Sequence, residues 1–257
     1  MSRKKDFYMN KVFDKYADYY DIFYENKDYK AESNYLIAIL KKLDINSKKI
    51  LEYGCGTGIH GRLLANEGYQ VFGIEQSSKM ISKCKKIPGF SFVEGDVRLL
   101  RLNKKFDFVI SVFHVFSYMQ SNDSCNLFFQ SSNKHLKIGG KLIFDFWYSP
   151  AVFMQKFKSK IRKVKKKDLV ITRTSETVFN FNDNIVDVKY KIKVLNSLTK
   201  KEKIFKEVHS MRHFSLPEIK SFALNNGFKF IKAEEYLTSR PPSEDSFSVI
   251  VILEKIK

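Results

Sequence analysis

The sequence predicts an α/β fold: a mainly parallel sheet covered by helices on both faces, with an antiparallel sheet inserted late in the chain. Three observations predict it. Between residues 46 and 150, short apolar runs alternate with amphipathic ones, the mark of strand–helix–strand units. After Pro150 the pattern becomes a strict alternation of apolar and polar residues, as in strands with one face in water. Directly after the first apolar run comes "GCGTGIHG", where glycines let backbone approach a ligand.

The elements follow in order. "NKVFDKYADYYDIFY" places Phe13, Tyr16, Tyr20, Phe23 and Tyr24 at helical spacing, so residues 1–45 read as a helical segment rich in tyrosine. "KKILEY" is a short buried strand, and "TGIHGRLLANEG" a helix closed by Gly68. "YQVFGIE" is the second strand. "SSKMISKCKK" is a helix capped by Ser77 or Ser78. "FSFVEGD" is the third strand. "FDFVISVF" is the fourth, nearly all apolar, as a strand covered on both sides should be. A helix over "SNDSCNLFFQSSNKHL", a turn at "IGG" and a fifth strand "KLIFDFWY" complete this part. In "NIVDVKYKIKVL" apolar residues alternate with Asp187, Lys189, Lys191 and Lys193, one of three or four inserted antiparallel strands. "SLPEIKSFALNNG" is a helix with Pro217 in its first turn and Gly227 after its end. The last two strands, "FKFIKAEEYL" and "FSVIVILEK", are joined by a link short enough for an antiparallel pair, since a parallel pair would need a longer crossover.

Composition narrows the function. The 257 residues suit one large domain with an insertion, and 44% hydrophobic residues supply a core. No apolar run is long enough to span a bilayer, and the basic N-terminus lacks the pattern of a signal peptide, so no membrane insertion is expected. Cys55, Cys84 and Cys125 form neither a disulfide framework nor a zinc pattern; a reducing cytoplasm and no metal are expected. The net charge of +18 reflects a lysine-rich composition, and it sets up a field that attracts phosphorylated molecules.

Gly56, Gly58 and Gly61 fit G-x-G-x-x-G, with Glu75 at the end of the second strand, as in dinucleotide sites. Glu52 at the tip of the first strand argues otherwise, because it repels a pyrophosphate and suits an ammonium. Asp96, past the third strand, suits an exocyclic amine. An ammonium, a ribose diol and an adenine without phosphate describe S-adenosylmethionine (SAM). "LEYGCGTG", "VFGIEQSSKM", "FVEGDVR" and "FDFVISVF" resemble the successive motifs of class I SAM-dependent methyltransferases. "YDIFYENKDYKAE" and "EVHSMRHFS" resemble segments of the bacterial branch that includes the TDP-aminosugar N,N-dimethyltransferases. "HVFSYM" with "DFWYSPAVF" resembles a related branch linked to surface polysaccharides.

The resemblance implies a Rossmann-like, seven-stranded mixed sheet whose last strand is antiparallel. Residues 46–150 and 215–257 would form this core, 1–45 a helical lid, and 151–214 an inserted sheet serving the acceptor or a homodimer. It implies that Glu52 and the amides of Gly54 and Gly56 hold the methionine end, and that Gly58 admits the following helix. Glu75, beside Gln76, would chelate the ribose, Met80 flank the adenine, and Asp96 and the Val97 amide bind its edge. Tyr20, Tyr29, Phe113 and the small loop residue Cys55 complete the expected cofactor site, with S-adenosylhomocysteine as product.

His114, directly after the fourth strand, is the first candidate for a base or an acceptor-orienting group. Tyr118 is the second; it stands where an aminosugar methyltransferase has a histidine. Trp147 and Tyr148 are expected at the pocket wall. Either His209 or Arg212 is expected to face it, since an undistorted strand sends them to opposite sides, and Arg240 is a loop alternative for an acceptor phosphate. The basic run "KSKIRKVKKKD" reads first as a solvated face.

The expected acceptor is a small anionic molecule: a nucleotide-linked sugar or another capsule or surface-polysaccharide precursor, including a phosphoramidate, methylated on nitrogen or oxygen. A tRNA or rRNA methyltransferase is the rival, disfavoured because "FHVF" stands where amino-methylating nucleic-acid enzymes carry Asn- or Asp-Pro-Pro-aromatic, and no Pro-Cys pair occurs. A dehydrogenase and a non-catalytic SAM-binding protein are the remaining readings.

Overall fold

The computed structural model describes residues 12–43, 48–155 and 159–257. Of the expected lid, residues 1–11, 44 and 45 lie outside the described residues, as do 156–158 of the insert and Lys158 of its basic run.

The chain opens with α1 (Ala17–Phe23) and α2 (Tyr29–Lys42), the latter capped by Asp28, whose carboxylate accepts from the Ala31 amide at 2.8 Å. Then come β1 (Lys49–Tyr53), α3 (Ile59–Asn66), β2 (Gln70–Glu75), α4 (Ser78–Ile81), β3 (Phe90–Glu94) and β4 (Phe106–Ser111). A 3-10 turn (Val115–Tyr118) leads to α5 (Asn122–His135), β5 (Leu136–Tyr148) and α6 (Ser149–Met154). The inserted strands are β6 (Lys160–Lys166), β7 (Leu169–Asn180), β8 (Ile185–Asn196) and β9 (Glu202–Phe214). After them follow α7 (Leu216–Asn225), β10 (Phe228–Glu235) and β11 (Ser248–Lys255).

Strands β3-β2-β1-β4-β5 run parallel; β11 lies antiparallel on β5, and β10 antiparallel on β11. The sheet has a period-two division of its apolar residues. Leu142, Phe144 and Phe146 of β5 and Val249, Val251 and Leu253 of β11 join a phenylalanine-rich core with Phe128 and Phe129 of α5 and Ile219 of α7. Ile143, Ile250 and Ile252, one residue out of step, join Leu36, Ile37 and Leu40 of α2 and Leu64 of α3 on the other face.

Three details depart from the sequence reading. The four inserted strands do not form a separate sheet. β5 runs past its neighbours, and Trp147 and Tyr148 pair in parallel with His213 and Phe214 of β9, making one connected sheet of eleven strands. Helix α4 stops at Ile81 instead of running through Lys86: beyond it stand Ser82, Lys83, Lys85 and Lys86, with little apolar surface to bury, and Pro88 disfavours a helical Ile87. The "IGG" turn persists, with Gly139 at φ 76°, but as an excursion inside β5, where the register against β4 jumps between Phe106 and Phe108.

Candidate active site

The carboxyl ends of β1, β2 and β4 surround a cavity of about 350 Å³, within the range of small-molecule sites. Val12, Phe13, Asp14, Tyr20 and Tyr29 of the N-terminal segment close one side of it. Of the residues singled out in the sequence, Tyr20, Tyr29, Glu52, Gly54, Cys55, Gly56, Glu75, Gln76, Met80, Asp96, Val97, Phe113 and Tyr118 line it. Gly58, His114, Trp147, Tyr148, His209, Arg212 and Arg240 do not.

The glycine turn makes the cavity possible through missing side chains. Gly54, Gly56 and Gly58 have φ of 68°, 55° and 76°, the left-handed region glycine enters without strain. A Cβ on Gly54 would lie 2.6 Å from a Val115 methyl, and one on Gly58 2.4 Å from Cys84 Sγ. The expectation that the Gly54 and Gly56 amides point to the methionine end is corrected. The Gly54 N–H donates to Ile74 O (2.8 Å), because the chain turns back over β2, and the Gly56 N–H donates to Glu75 Oε2 (2.9 Å).

Two buried carboxyls face each other across the turn. Glu52 is 3% exposed, and its Oε2 has no hydrogen-bond partner among the described residues. Burial, then the neighbouring Cys84 and Glu75, push its carboxyl up to about 8 against the opposing pull of Arg62. Burial also raises Glu75, partly offset by hydrogen bonds from the Ser77, Gly56 and Gln76 amides. A buried carboxyl with no ion-pair partner among the described residues is the counterpart of a ligand that brings a cation, so this end can hold a cationic group.

Asp96 is already engaged. The Arg98 guanidinium donates to both its oxygens, at 3.0 and 3.1 Å from Nε and 2.5 Å from Nη2, and the Arg98 amide donates to Oδ1 at 2.9 Å. Three donor hydrogens of Arg98, its Nε–H shared between the two oxygens, take most of the carboxylate's roughly four acceptor positions, so an adenine amine would share this group with Arg98.

The acceptor candidates divide. His114 and Phe113 both have positive φ (66° and 67°), a sharp corner that turns the His114 ring away from the cavity lining. Its amide donates to Asp145 Oδ1 at 2.8 Å, and its Nδ1 lies 2.9 Å from Asp145 Oδ2, an ion-pair contact whose angles fall short of a hydrogen bond. Burial alone would raise the Asp145 carboxyl; His114 and the Ser248 hydroxyl outweigh it and hold the group below its usual range. Trp147 packs at 4.9 Å between ring centroids on Phe247, beside His114. Tyr148 packs against the phenylalanine-rich core.

The parity of β9 operates as expected. Arg212 faces α5 and α7, where its guanidinium lies over Phe214 and 3.4 Å from Glu218. His209 faces the N-terminal segment, its Nδ1 2.7 Å from the Tyr118 hydroxyl. Arg240 is exposed and pairs with Glu235 at 2.6 Å, because the loop folds back on β10.

Sequence reading missed two groups. Glu207 shares the His209 face of β9, a neighbour that the same period-two argument would have found. It lies 3.2 Å from His209 Nε2 and accepts from the Phe13 and Tyr16 amides. The second is a buried ionic cluster in which Glu32 contacts Lys27 at 2.8 Å and His60, a cavity-lining residue, at 2.7 Å. Burial opposes the Glu32 charge, yet the His60 and Lys27 hydrogen bonds bring its carboxyl below the usual range; burial lowers Lys27. Nothing local in the sequence pairs Glu32 with His60, 28 residues on.

Residues 50–140 match a family model described as a methyltransferase domain. Over 235 residues the chain is 26% identical to a dTDP-3-amino-3,4,6-trideoxy-alpha-D-glucopyranose N,N-dimethyltransferase of Streptomyces venezuelae, an alignment covering 90% of this chain and 96% of that one. Among solved structures, the fold matches a SAM-dependent methyltransferase of Clostridium acetobutylicum (TM-score 0.78, 19% identity, 95% and 98% of the two chains). It also matches a SAM-bound amino pentose methyltransferase of Micromonospora echinaspora (TM-score 0.74, 19% identity, 96% and 99%). Its sheet order, its glycine turn and these likenesses agree: the chain is a class I SAM-dependent methyltransferase, related to the bacterial TDP-aminosugar N,N-dimethyltransferases.

Proposed function

We propose that the chain methylates the amino nitrogen of a nucleotide-linked amino sugar. The observation that carries this reading is the reach of the alignment with the Streptomyces venezuelae enzyme, which covers 90% of this chain and so extends beyond the matched domain at 50–140. The net charge of +18 supports a phosphorylated acceptor, and the aromatic wall formed by Phe13, Tyr20, Tyr29, Phe113 and Tyr118 supports a sugar or base ring.

SAM, when bound, supplies an electrophilic methyl group on a sulfonium. Transfer is an in-line displacement, so the residues of this chain act mainly by positioning. Glu52 and Glu75 would fix the donor. The N-terminal segment, closing over the cavity, would exclude water, and Tyr118 would meet the acceptor. In this reading the described part of the N-terminal segment, residues 12–43, serves as a lid, and the insert stands behind the cavity, where His209 of β9 backs Tyr118.

The test is a panel of dTDP-amino sugars with purified protein and SAM, followed by mass spectrometry of the sugar. Mono- or dimethylated amino sugar is the expected product. Release of S-adenosylhomocysteine with tRNA, or with a hydroxyl acceptor such as a capsule phosphoramidate, and none with amino sugars, would replace the reading.

A further inference from the structure

Tyr118, on the 3-10 turn after β4, lines the cavity. Its hydroxyl contacts His209 Nδ1 at 2.7 Å, and the His209 Nε2 lies 3.2 Å from a Glu207 oxygen. The chain of contacts leads from the acceptor end into the interior: His209 is 3% exposed, and Glu207 is anchored by the amides of Phe13 and Tyr16. The Glu207 contact is an ion-pair distance whose angles fall short of a hydrogen bond, but a carboxylate beside Nε2 favours the His209 tautomer with hydrogen there and leaves Nδ1 as an acceptor for the phenol.

We propose that Tyr118, His209 and Glu207 form a proton relay serving the acceptor amine, with Tyr118 the catalytic residue and His209 and Glu207 positioning residues behind it. This rests on the amine acceptor proposed above. An amine arrives largely as its ammonium form, which has no lone pair to attack with. In the relay an ammonium N–H bond breaks, and its proton forms a new O–H bond on Tyr118. The phenol's own O–H bond breaks as its proton passes to His209 Nδ1. The amine keeps the electron pair, His209 becomes an imidazolium, and the Glu207 carboxylate balances that charge. After product leaves, the reverse shift returns the proton to solvent through the phenol.

The groups around His209 suit this. Tyr16 faces it at 6.0 Å from before α1, Tyr190 at 4.9 Å from β8, and Phe13 at 5.0 Å, between ring centroids. Arg173 of β7, packed over Tyr190 and hydrogen-bonded to the Tyr16 hydroxyl, is the nearby cation that Glu207 must outweigh. Burial, then Tyr190, Tyr24 and Glu207, hold the Tyr118 hydroxyl protonated well above the usual range, so the phenol conducts a proton without lingering as phenolate.

Two measurements decide it. Long-range ¹⁵N–¹H correlation on the free enzyme should show neutral His209 protonated on Nε2; protonation on Nδ1 overturns the relay, whichever acceptor is used. In turnover, Tyr118→Phe should lower kcat about 100-fold while leaving the donor Kd within about twofold. Glu207→Gln, which can still accept from the Phe13 amide, should lower kcat about tenfold and move the acid limb of its pH profile to lower pH, because the imidazolium loses its counter-charge. A Tyr118→Phe enzyme within about threefold of wild type, or an unmoved acid limb in Glu207→Gln, overturns the relay. If wild type turns over no amino sugar, the acceptor reading falls, and the tautomer still decides the relay.

Discussion

The two ends of the cavity are built in different ways. At the donor end, Glu52, the glycine turn and Glu75 come from adjacent parallel strands and the loops that directly follow them, within 24 residues of sequence. At the proposed acceptor end, Phe13 and Tyr118, with Glu207 and His209 behind them, come from the N-terminal segment, a 3-10 turn and an inserted strand, and they meet across up to 194 residues. The first is local geometry fixed by the strand order. The second exists only after long-range pairing. A local arrangement can be read as a motif; a long-range one cannot.

The largest effect that would test this division is expected from Glu75→Ala. It removes hydrogen bonds from a charged group, each worth about 1.5–3 kcal/mol, so donor affinity by calorimetry should fall about 100-fold, with the acceptor KM little changed. A parallel loss at both ends would show that they are not separable.

Glu52 makes a pH prediction. Its pKa in the fold, about 8, lies above the ordinary 4.5, so the folded state binds the extra proton. That contribution to stability is fully present below pH 4.5 and is lost as pH rises through about 8. The melting temperature of donor-free protein should therefore drop across this range, and Glu52→Gln should flatten the drop. Cation binding should ionise Glu52, so calorimetry at pH 7 in buffers of different ionisation enthalpy should show nearly one proton released per SAM bound. No release in wild type would remove Glu52 from the ammonium site.

A smaller and opposite effect is expected from Phe13→Ala, whose ring packs on His209 at 5.0 Å and on Tyr118 at 6.1 Å. The acceptor KM should rise about tenfold and the donor Kd by no more than about threefold. The smallest effect belongs to Arg240→Ala. With Arg240 exposed and held by Glu235, thermal unfolding should show stability within about 0.5 kcal/mol of wild type, and the acceptor KM should not change.

How far the sequence could be read follows the same boundary. The glycines and the carboxylates at the strand tips were legible as cavity-lining residues because strand, turn and helix are consecutive there. The alternation in β8 and β9 placed His209 and Arg212 on opposite faces, but nothing in it said which face met the cavity. That depended on α1 and the residues before it settling against β7, β8 and β9. His114 was legible as a residue at the right height and misleading as to direction, since two successive positive φ values turned it onto Asp145. Asp96 was legible by position, while its bond to Arg98, two residues on, was not considered. The loss of half of α4 was foreshadowed by Pro88 and the lysines before it.

The joint between β5 and β9 has a further consequence. Among the described residues, Trp147 and Tyr148 on one side and His213 and Phe214 on the other are the strand pairs that stitch the insert into the parallel sheet. Trimming the insert away would bare the backbone amides and carbonyls at that tip, which a buried position tolerates poorly. The far hairpins of β6, β7 and β8 carry no such obligation. Remodelling for a new acceptor therefore has a natural grain: the exposed β6 edge can be rewritten, while the two-residue seam and the faces of β7 and β8 that pack on α1 must be kept.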